Sequence, residues 1–440
     1  MKSVLSRFRH LAVMKFQHRG RIIVPMTEPD IVCERLGVTP RSLRIAFVTE
    51  TWPPEVNGVA ITAARFAEGL RARHHDIHLV RPRQGHEAAG DEPPQMLARG
   101  VGIPGYPGLR MGLPAHRRLS HLWSLHRPDV VHIVTEGPLG WSALRTALRL
   151  RLPVTSDFRT HFDAYSNHYG IGWLRRPIAR YLRKFHNRTQ YTLVPTRALA
   201  AELAAGGYRN LEVVGRGVDT ALFHPGRRSA ALRAVWGVAP DDPVFAYVGR
   251  LAPEKNLDLL FDAFRRVRRA APQARLLLVD DGPATLPSGA ADSVLRVGVK
   301  RGAELAAHYA SADAFLFPSL TETFGNVTLE AIASGLPVVA FAYGAAGEVL
   351  THEVTGLLAP YGDDAQFGAH AVALACDPAQ RARLAAQVHT LAPALAWDHA
   401  IDRFESLLIA AAEGGRPRPG HRATVAGPHV TVSADAGITA

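Results

Sequence analysis

Short apolar runs rich in β-branched and aromatic residues alternate with longer stretches of helical period, and this alternation restarts past the middle of the chain. In the first half the expected strands are Arg44–Thr49, Asp76–Val80, Val130–Val134, Val154–Ser156 and Tyr191–Val194. The expected helices between them are Val59–Ala72, Leu139–Leu150, Leu174–Asn187 and Arg197–Ala205. The second series has strands at Val244–Val248, Arg275–Val279, Val294–Val297, Ala314–Phe317 and Pro337–Phe341. Its helices are expected at Leu257–Ala270, Ala303–Ser311, Val327–Ser334 and Asp364–Ala375, with a closing helix at Ala396–Ala412. Strands that are apolar throughout are buried on both faces, and helices between them supply the crossovers of a parallel sheet. The chain therefore predicts an α/β fold of two doubly wound, Rossmann-like units in tandem, with a hinge near 215–240. In such sheets ligands bind outside the carboxyl ends of the strands, at the switch point in strand order.

Length agrees with this division: 440 residues suit two or three domains at about 150 residues each. Residues 1–42 read as a basic flexible extension, 43–225 as one domain, 226–395 as the other, 396–413 as the closing helix, and 414–440 as a disordered tail. Cys33 and Cys376 form neither a disulfide framework nor a metal-ligand spacing, which suits a reducing cytoplasm. No apolar run is long enough to span a bilayer. The net charge of +12 is unevenly spread. Residues 1–225 carry 32 Lys/Arg against 17 Asp/Glu, and residues 226–440 carry 19 against 22. A basic half fits nucleic acid, an anionic membrane surface or an acidic substrate. No zinc-finger or RNP-type signature and no aromatic interleaving accompanies it, so nucleic acid is not expected.

Three motifs follow expected strands. After Arg44–Thr49 comes ETWPPEVNGVA, where Asn57 and Gly58 precede a helix whose N-terminal N–H groups form an anion site. After VFAYV comes GRLAPEKN: Gly249 permits close approach, while Arg250 and Lys255 offer a planar fork and a mobile ammonium suited to a diphosphate. No Walker A pattern is present. The third string, FPSLTETFGNVTLEAIASGLPVV, places Glu322 on a loop and opens a helix near Asn326. Gly325 and Asn326 bring backbone N–H groups to a phosphate, and Glu330, one turn in, is placed to accept from ribose hydroxyls. No DxD metal pair is evident, and Asp280-Asp281 reads as structural, so no metal site is expected.

The strings NGV, VGRLAPEKN and TETFGNVTLEAIASGLPVV together resemble the family 4 glycosyltransferases, retaining enzymes of the two-Rossmann GT-B architecture, over residues 43–412. The resemblance implies that Arg250 and Lys255 bind the donor diphosphate, that Glu322 lies by the donor sugar, that Glu330 holds the ribose, and that the backbone at Gly58, Phe324, Gly325 and Asn326 lies on the phosphate side, with Val327 also on the donor. It also implies same-face attack assisted by the departing phosphate. Many relatives carry a His at the end of the fourth strand. Here the segment is SDFRTHFDAYSNHYG, which puts Arg159 at that position and His161 two residues on; both are expected on the acceptor side, with His161 a candidate for the chemistry. The nearest-looking group is the bacterial GDP-mannose-dependent α-mannosyltransferases acting on lipid acceptors. The implied partners are a nucleotide-sugar (GDP-mannose, with UDP-sugars as the alternative), a lipid-linked or glycan acceptor, and no cofactor. A sugar-nucleotide epimerase and an inactive scaffold subunit are the competing readings. The stretch GWLRRPIARYLRKFHNR, rich in Arg and free of acids, reads as a basic amphipathic helix. It could dock the enzyme on the inner face of the plasma membrane, or pack its apolar stripe against its own domain.

Overall fold

The computed structural model describes residues 41–55, 57–84, 95–102, 110–159, 175–251, 255–279, 292–322 and 324–414. His161, the Asp280-Asp281 pair, the N-terminal extension and the C-terminal tail lie outside them.

The first half contains strands β1 (Arg44–Val48), β2 (Asp76–Pro82), β3 (Gln95–Ala98), β4 (Gly100–Gly102), β5 (Arg110–Gly112), β6 (Val130–Ile133), β7 (Val154–Asp157), β8 (Tyr191–Val194) and β9 (Leu211–Val213). Between them run α1 (Gly58–Ala72), α2 (His116–Leu125), α3 (Pro138–Arg149), α4 (Arg175–His186) and α5 (Arg197–Ala205). Seven strands form one sheet in the order β3-β2-β1-β6-β7-β8-β9. Each neighbouring pair is parallel. β4 and β5 form a separate antiparallel hairpin. The reason for parallel pairing is visible in β1: Ile45, Ala46, Phe47 and Val48 are all completely buried, so both faces of this strand need helical cover.

The second half comprises β10 (Val244–Val248), β11 (Arg275–Val279), β12 (Val294–Arg296), β13 (Ala314–Phe317), β14 (Val338–Phe341) and β15 (Leu357–Ala359). Its helices are α6 (Ala230–Val235), α7 (Leu257–Ala270), α8 (Gly302–Ser311), α9 (Asn326–Ala333), α10 (Gly344–Val349), α11 (Asp364–Cys376) and α12 (Pro378–His389). The strands form a six-stranded parallel sheet in the order β12-β11-β10-β13-β14-β15. One contiguous apolar core encloses it.

Each sheet reverses its strand order once, between β1 and β6 in the first and between β10 and β13 in the second. The three motifs follow β1, β10 and β13, so all of them stand at these switch points. The last helix, α13 (Trp397–Ala412), does not close the half it follows. Ile401, Phe404, Leu407, Leu408 and Ala411 return to the first half and join the core of β1 and α1. Phe404 packs on Phe66 with ring centroids 4.7 Å apart, and Gly69 leaves room for Ile401 where a Cβ would clash at 2.3 Å.

Candidate active site

The GRLAPEKN motif begins where β10 ends, with Gly249 at φ +147°. Arg250 is exposed, and its carbonyl accepts from the Tyr247 hydroxyl at 3.1 Å. Lys255 ion-pairs through Nζ with Oε1 of Glu322, both side chains being largely enclosed. Glu322 also accepts from the Ser319 hydroxyl at 3.1 Å, and Asn256 donates to the Pro318 carbonyl at 3.3 Å. The second and third motifs, 67 residues apart at this pair, are thus fastened together at the mouth of one switch point.

The loop from β13 enters α9 through Gly325 at φ +98°, a conformation that strains a side-chain-bearing residue; a Cβ there would lie 3.4 Å from the Phe317 ring. No side chain among the described residues caps α9, so the N–H groups of Asn326 and Val327 are available to an anion. Phe324 is buried and Val327 half-buried. Glu330 is half-buried one turn in and accepts from the Tyr309 hydroxyl at 3.0 Å. Burial pushes its carboxyl up to about 7 even though the Tyr309 bond opposes this.

The first motif is arranged differently from the third. Asn57 is itself the cap of α1: its Oδ1 accepts from the N–H groups of Val59 at 3.1 Å and Ala60 at 2.8 Å. Its Nδ2 donates to the Thr51 hydroxyl at 2.6 Å, so this loop is ordered by side chains. What remains open is the backbone at Gly58, where a Cβ would come within 3.3 Å of Nη1 of Arg216.

Arg216 is the residue that sequence reasoning did not single out. It follows β9 in the string VVGRGVD and donates from Nη1 to Oδ1 of Asn326 at 3.0 Å. Its guanidinium lies over the Phe324 ring at 5.6 Å, and its Nε is buried without a hydrogen-bond partner. Burial, and next the neighbouring Arg159, bring it down to about 9, so it stays cationic at neutral pH. One guanidinium therefore stands between the Gly58 loop of the first half and the head of α9 in the second. A glycine-flanked Arg just past a strand end was the available signal. A second contact between the halves is Arg197 with Glu348, at 3.0 Å.

Arg159 is buried and tied to Asp157, with Nε 2.6 Å from Oδ2, and it stacks over Phe66 at 5.2 Å. His132 sits 3.6 Å from the same carboxylate. Burial alone would raise Asp157, but Arg159 and His132 outweigh it and hold the carboxyl at about 2. The helix read as amphipathic is α4. Its Leu182 and Phe185 are buried, and Trp141 packs on Tyr181 and Phe185 at 5.4 and 6.0 Å. Arg176, Arg180, Arg183 and Lys184 face solvent. Leu182 and Phe185 of the apolar stripe thus belong to the domain, Ile178 is half-buried, and Tyr181 stays partly exposed beside the charged face; Trp173 and Leu174 lie outside the described residues.

The comparisons decide the family. Residues 56–222 match the model described as Glycosyltransferase Family 4, and residues 242–377 match that described as Glycosyl transferases group 1. The chain is 35% identical over 356 residues to a GDP-mannose-dependent alpha-mannosyltransferase of Mycobacterium tuberculosis, covering 78% of this chain and 91% of the relative. The chain belongs to glycosyltransferase family 4. A protein of the same description from Mycolicibacterium smegmatis is 33% identical to this glycosyltransferase, covering 72% and 84% of the two chains. Among solved structures, sucrose-phosphate synthase from Thermosynechococcus elongatus superposes with a TM-score of 0.66 at 19% identity, covering 85% of this glycosyltransferase and all of that chain. The two parallel-sheet units are accordingly those of the GT-B fold, and the protein is a hexosyltransferase. No helix among the described residues is long and apolar enough to cross a membrane.

Proposed function

We propose that this glycosyltransferase moves mannose from GDP-mannose to a hydroxyl of a lipid or glycan acceptor, with retention at the anomeric carbon and without a metal ion. The observation that carries the reading is the meeting of Lys255 and Glu322 beside the uncapped head of α9, with Arg216 reaching it from the other half. Breaking a nucleotide–sugar bond builds negative charge on the departing diphosphate. In this reading Arg250, Lys255, Arg216 and the N–H groups at Gly325 and Asn326 meet that charge in fixed positions, so little reorganisation is needed as it develops. Glu322 lies by the sugar, where it orients hydroxyls and holds Lys255 in place. Glu330 accepts from the ribose. The Gly58 loop closes the diphosphate from the acceptor half, and water is excluded as the halves come together. Arg159, locked to Asp157, positions the acceptor side. Mannose and guanine are supported by the names of the mycobacterial relatives.

The exposed basic face of α4 would hold the protein reversibly on an anionic leaflet, each Lys or Arg near the surface contributing about 1 kcal/mol. Leu182 and Phe185 are already buried within the domain, so this attraction is chiefly electrostatic. The test of the transfer is incubation of the pure protein with a panel of GDP- and UDP-sugars. GDP-mannose is expected to be hydrolysed slowly without acceptor, releasing the α-anomer first. Turnover confined to a UDP-sugar would replace the donor assignment, and release of the β-anomer would overturn retention.

A further inference from the structure

A second cationic site lies on the acceptor half, away from the residues assigned to the donor. Arg83, Arg99, Arg110 and Arg118, with Leu97, Ala98 and Gly100, line a cavity of about 340 Å³. Among the described residues four guanidiniums and no carboxylate form this lining. The volume lies at the lower end of the roughly 300–1,000 Å³ found for small-molecule sites, larger than one inorganic ion needs. The arginines come from separate elements: Arg83 follows β2, Arg99 links β3 to β4, Arg110 opens β5, and Arg118 is on α2. Two are held in place by backbone carbonyls. Arg110 donates from Nη2 to Gly100 at 2.8 Å, and Arg118 donates from Nη1 to Leu97 at 3.0 Å. Nε of Arg110 is buried without a partner. Among the described residues no carboxylate pairs with any of the four.

Arg83, Arg99 and Arg118 are exposed and Arg110 is half-buried, so water screens their mutual repulsion, while their summed positive field around one cavity attracts an anion. Planar guanidinium forks suit the oxygens of a phosphate above other anions. The location adds to this. The carboxyl ends of β2 and β3 supply the cavity, which is the edge of the sheet where ligands bind. The hairpin that carries Arg110 reaches the switch point directly, Gly112 donating to Oε2 of Glu50 at 3.3 Å.

We propose that this cavity binds a phosphate group carried by the acceptor, placing the acceptor beside the switch point of the first sheet. The inference rests on the transferase reading. Glycerol 1-phosphate, with glycerol as its uncharged control, is the soluble probe, and phosphatidylcholine vesicles with and without phosphatidylglycerol are the lipid probe. Both are titrated against the full chain and against Arg99→Glu/Arg118→Glu, with GDP and UDP binding measured in parallel. Glycerol 1-phosphate is expected to bind where glycerol does not, and the variant is expected to weaken it at least about tenfold while leaving nucleotide binding unchanged. Binding of the vesicles alone, lost in the variant, supports the site with a lipid headgroup as its source. Binding of the soluble probe alone supports it with a soluble phosphorylated acceptor. Equal binding by both proteins, or by neither, overturns the proposal; intact nucleotide binding in that case leaves the transferase reading standing. A variant that also loses nucleotide binding is replaced by Arg83→Gln/Arg99→Gln, two exposed side chains, with the same readings.

Discussion

At the residue scale, Lys255 and Glu322 act as one unit. Each is largely enclosed, so deleting either partner leaves a charge that water reaches poorly. Lys255→Ala and Glu322→Ala are expected each to lower kcat at least a hundredfold, with a circular dichroism spectrum like that of the parent. Their combination is expected to cost little more than either alone. Multiplicative losses in the double variant would show that the two act separately. Glu330 gives a pH prediction. With its carboxyl at about 7, the charged fraction falls from about nine-tenths at pH 8 to about one-tenth at pH 6. Donor affinity should fall over that range and become flat in Glu330→Gln. The stability effect has the opposite sense. The folded-state value lies above the ordinary 4.5, so stability is present at low pH and is lost as pH rises through 7. Glu330→Gln is expected to stabilise the ligand-free protein at pH 8 by about 1–3 kcal/mol, read from its Tm, while weakening the donor. A drop in Tm would mean that the carboxylate is needed for packing.

At the element scale, α13 shows why adjacency in sequence is a poor guide to packing. It is the last helix of the chain, yet its apolar face fills the first half, against β1 and α1. Phe404→Ala is expected to destabilise the fold by about 3–5 kcal/mol, measured by urea denaturation, because the ring is completely buried among Phe47, Phe66 and His132. Helix α4 makes a similar point. Its period announced an apolar stripe, and the structure packs Tyr181 and Phe185 of that stripe on Trp141. Several elements that escaped the sequence reading are short: β9, β15 and the β4–β5 hairpin have three residues per strand, too few for alternation to show, whereas the missed α12 has twelve residues of which only Leu384 and Val388 are buried. In α2 only Leu119 and Trp123 are buried, a stripe too sparse to stand out among its polar neighbours.

At the scale of the whole molecule, the two sheets bring their switch points to one place, and the contacts there among the described residues include Arg216 with Asn326 and Phe324 and Arg197 with Glu348. Such contacts can be remade as the halves move. A saturating nucleoside diphosphate should bridge them. At a hundred times its Kd, GDP is expected to stabilise the fold by about 2.7 kcal/mol, an effect that Arg216→Ala reduces and a chelator leaves unchanged. Loss of the stabilisation in chelator, with rescue by magnesium, would show that a cation completes the site.

The sequence alone determined the strand–helix alternation, its restart, and the placement of three motifs after β1, β10 and β13. These are local properties: apolar runs, glycines at turns, and charged residues within a few positions of a strand end. It did not determine which charges meet. Lys255 and Glu322 are brought together by the parallel pairing of β10 with β13. Arg216 reaches Asn326 only because the second half is set against the first, and the four arginines share a cavity only because β2, β3, the hairpin and α2 converge. Period and propensity are written in neighbouring residues, whereas a site is made by side chains that the chain separates and only packing brings within reach of one another.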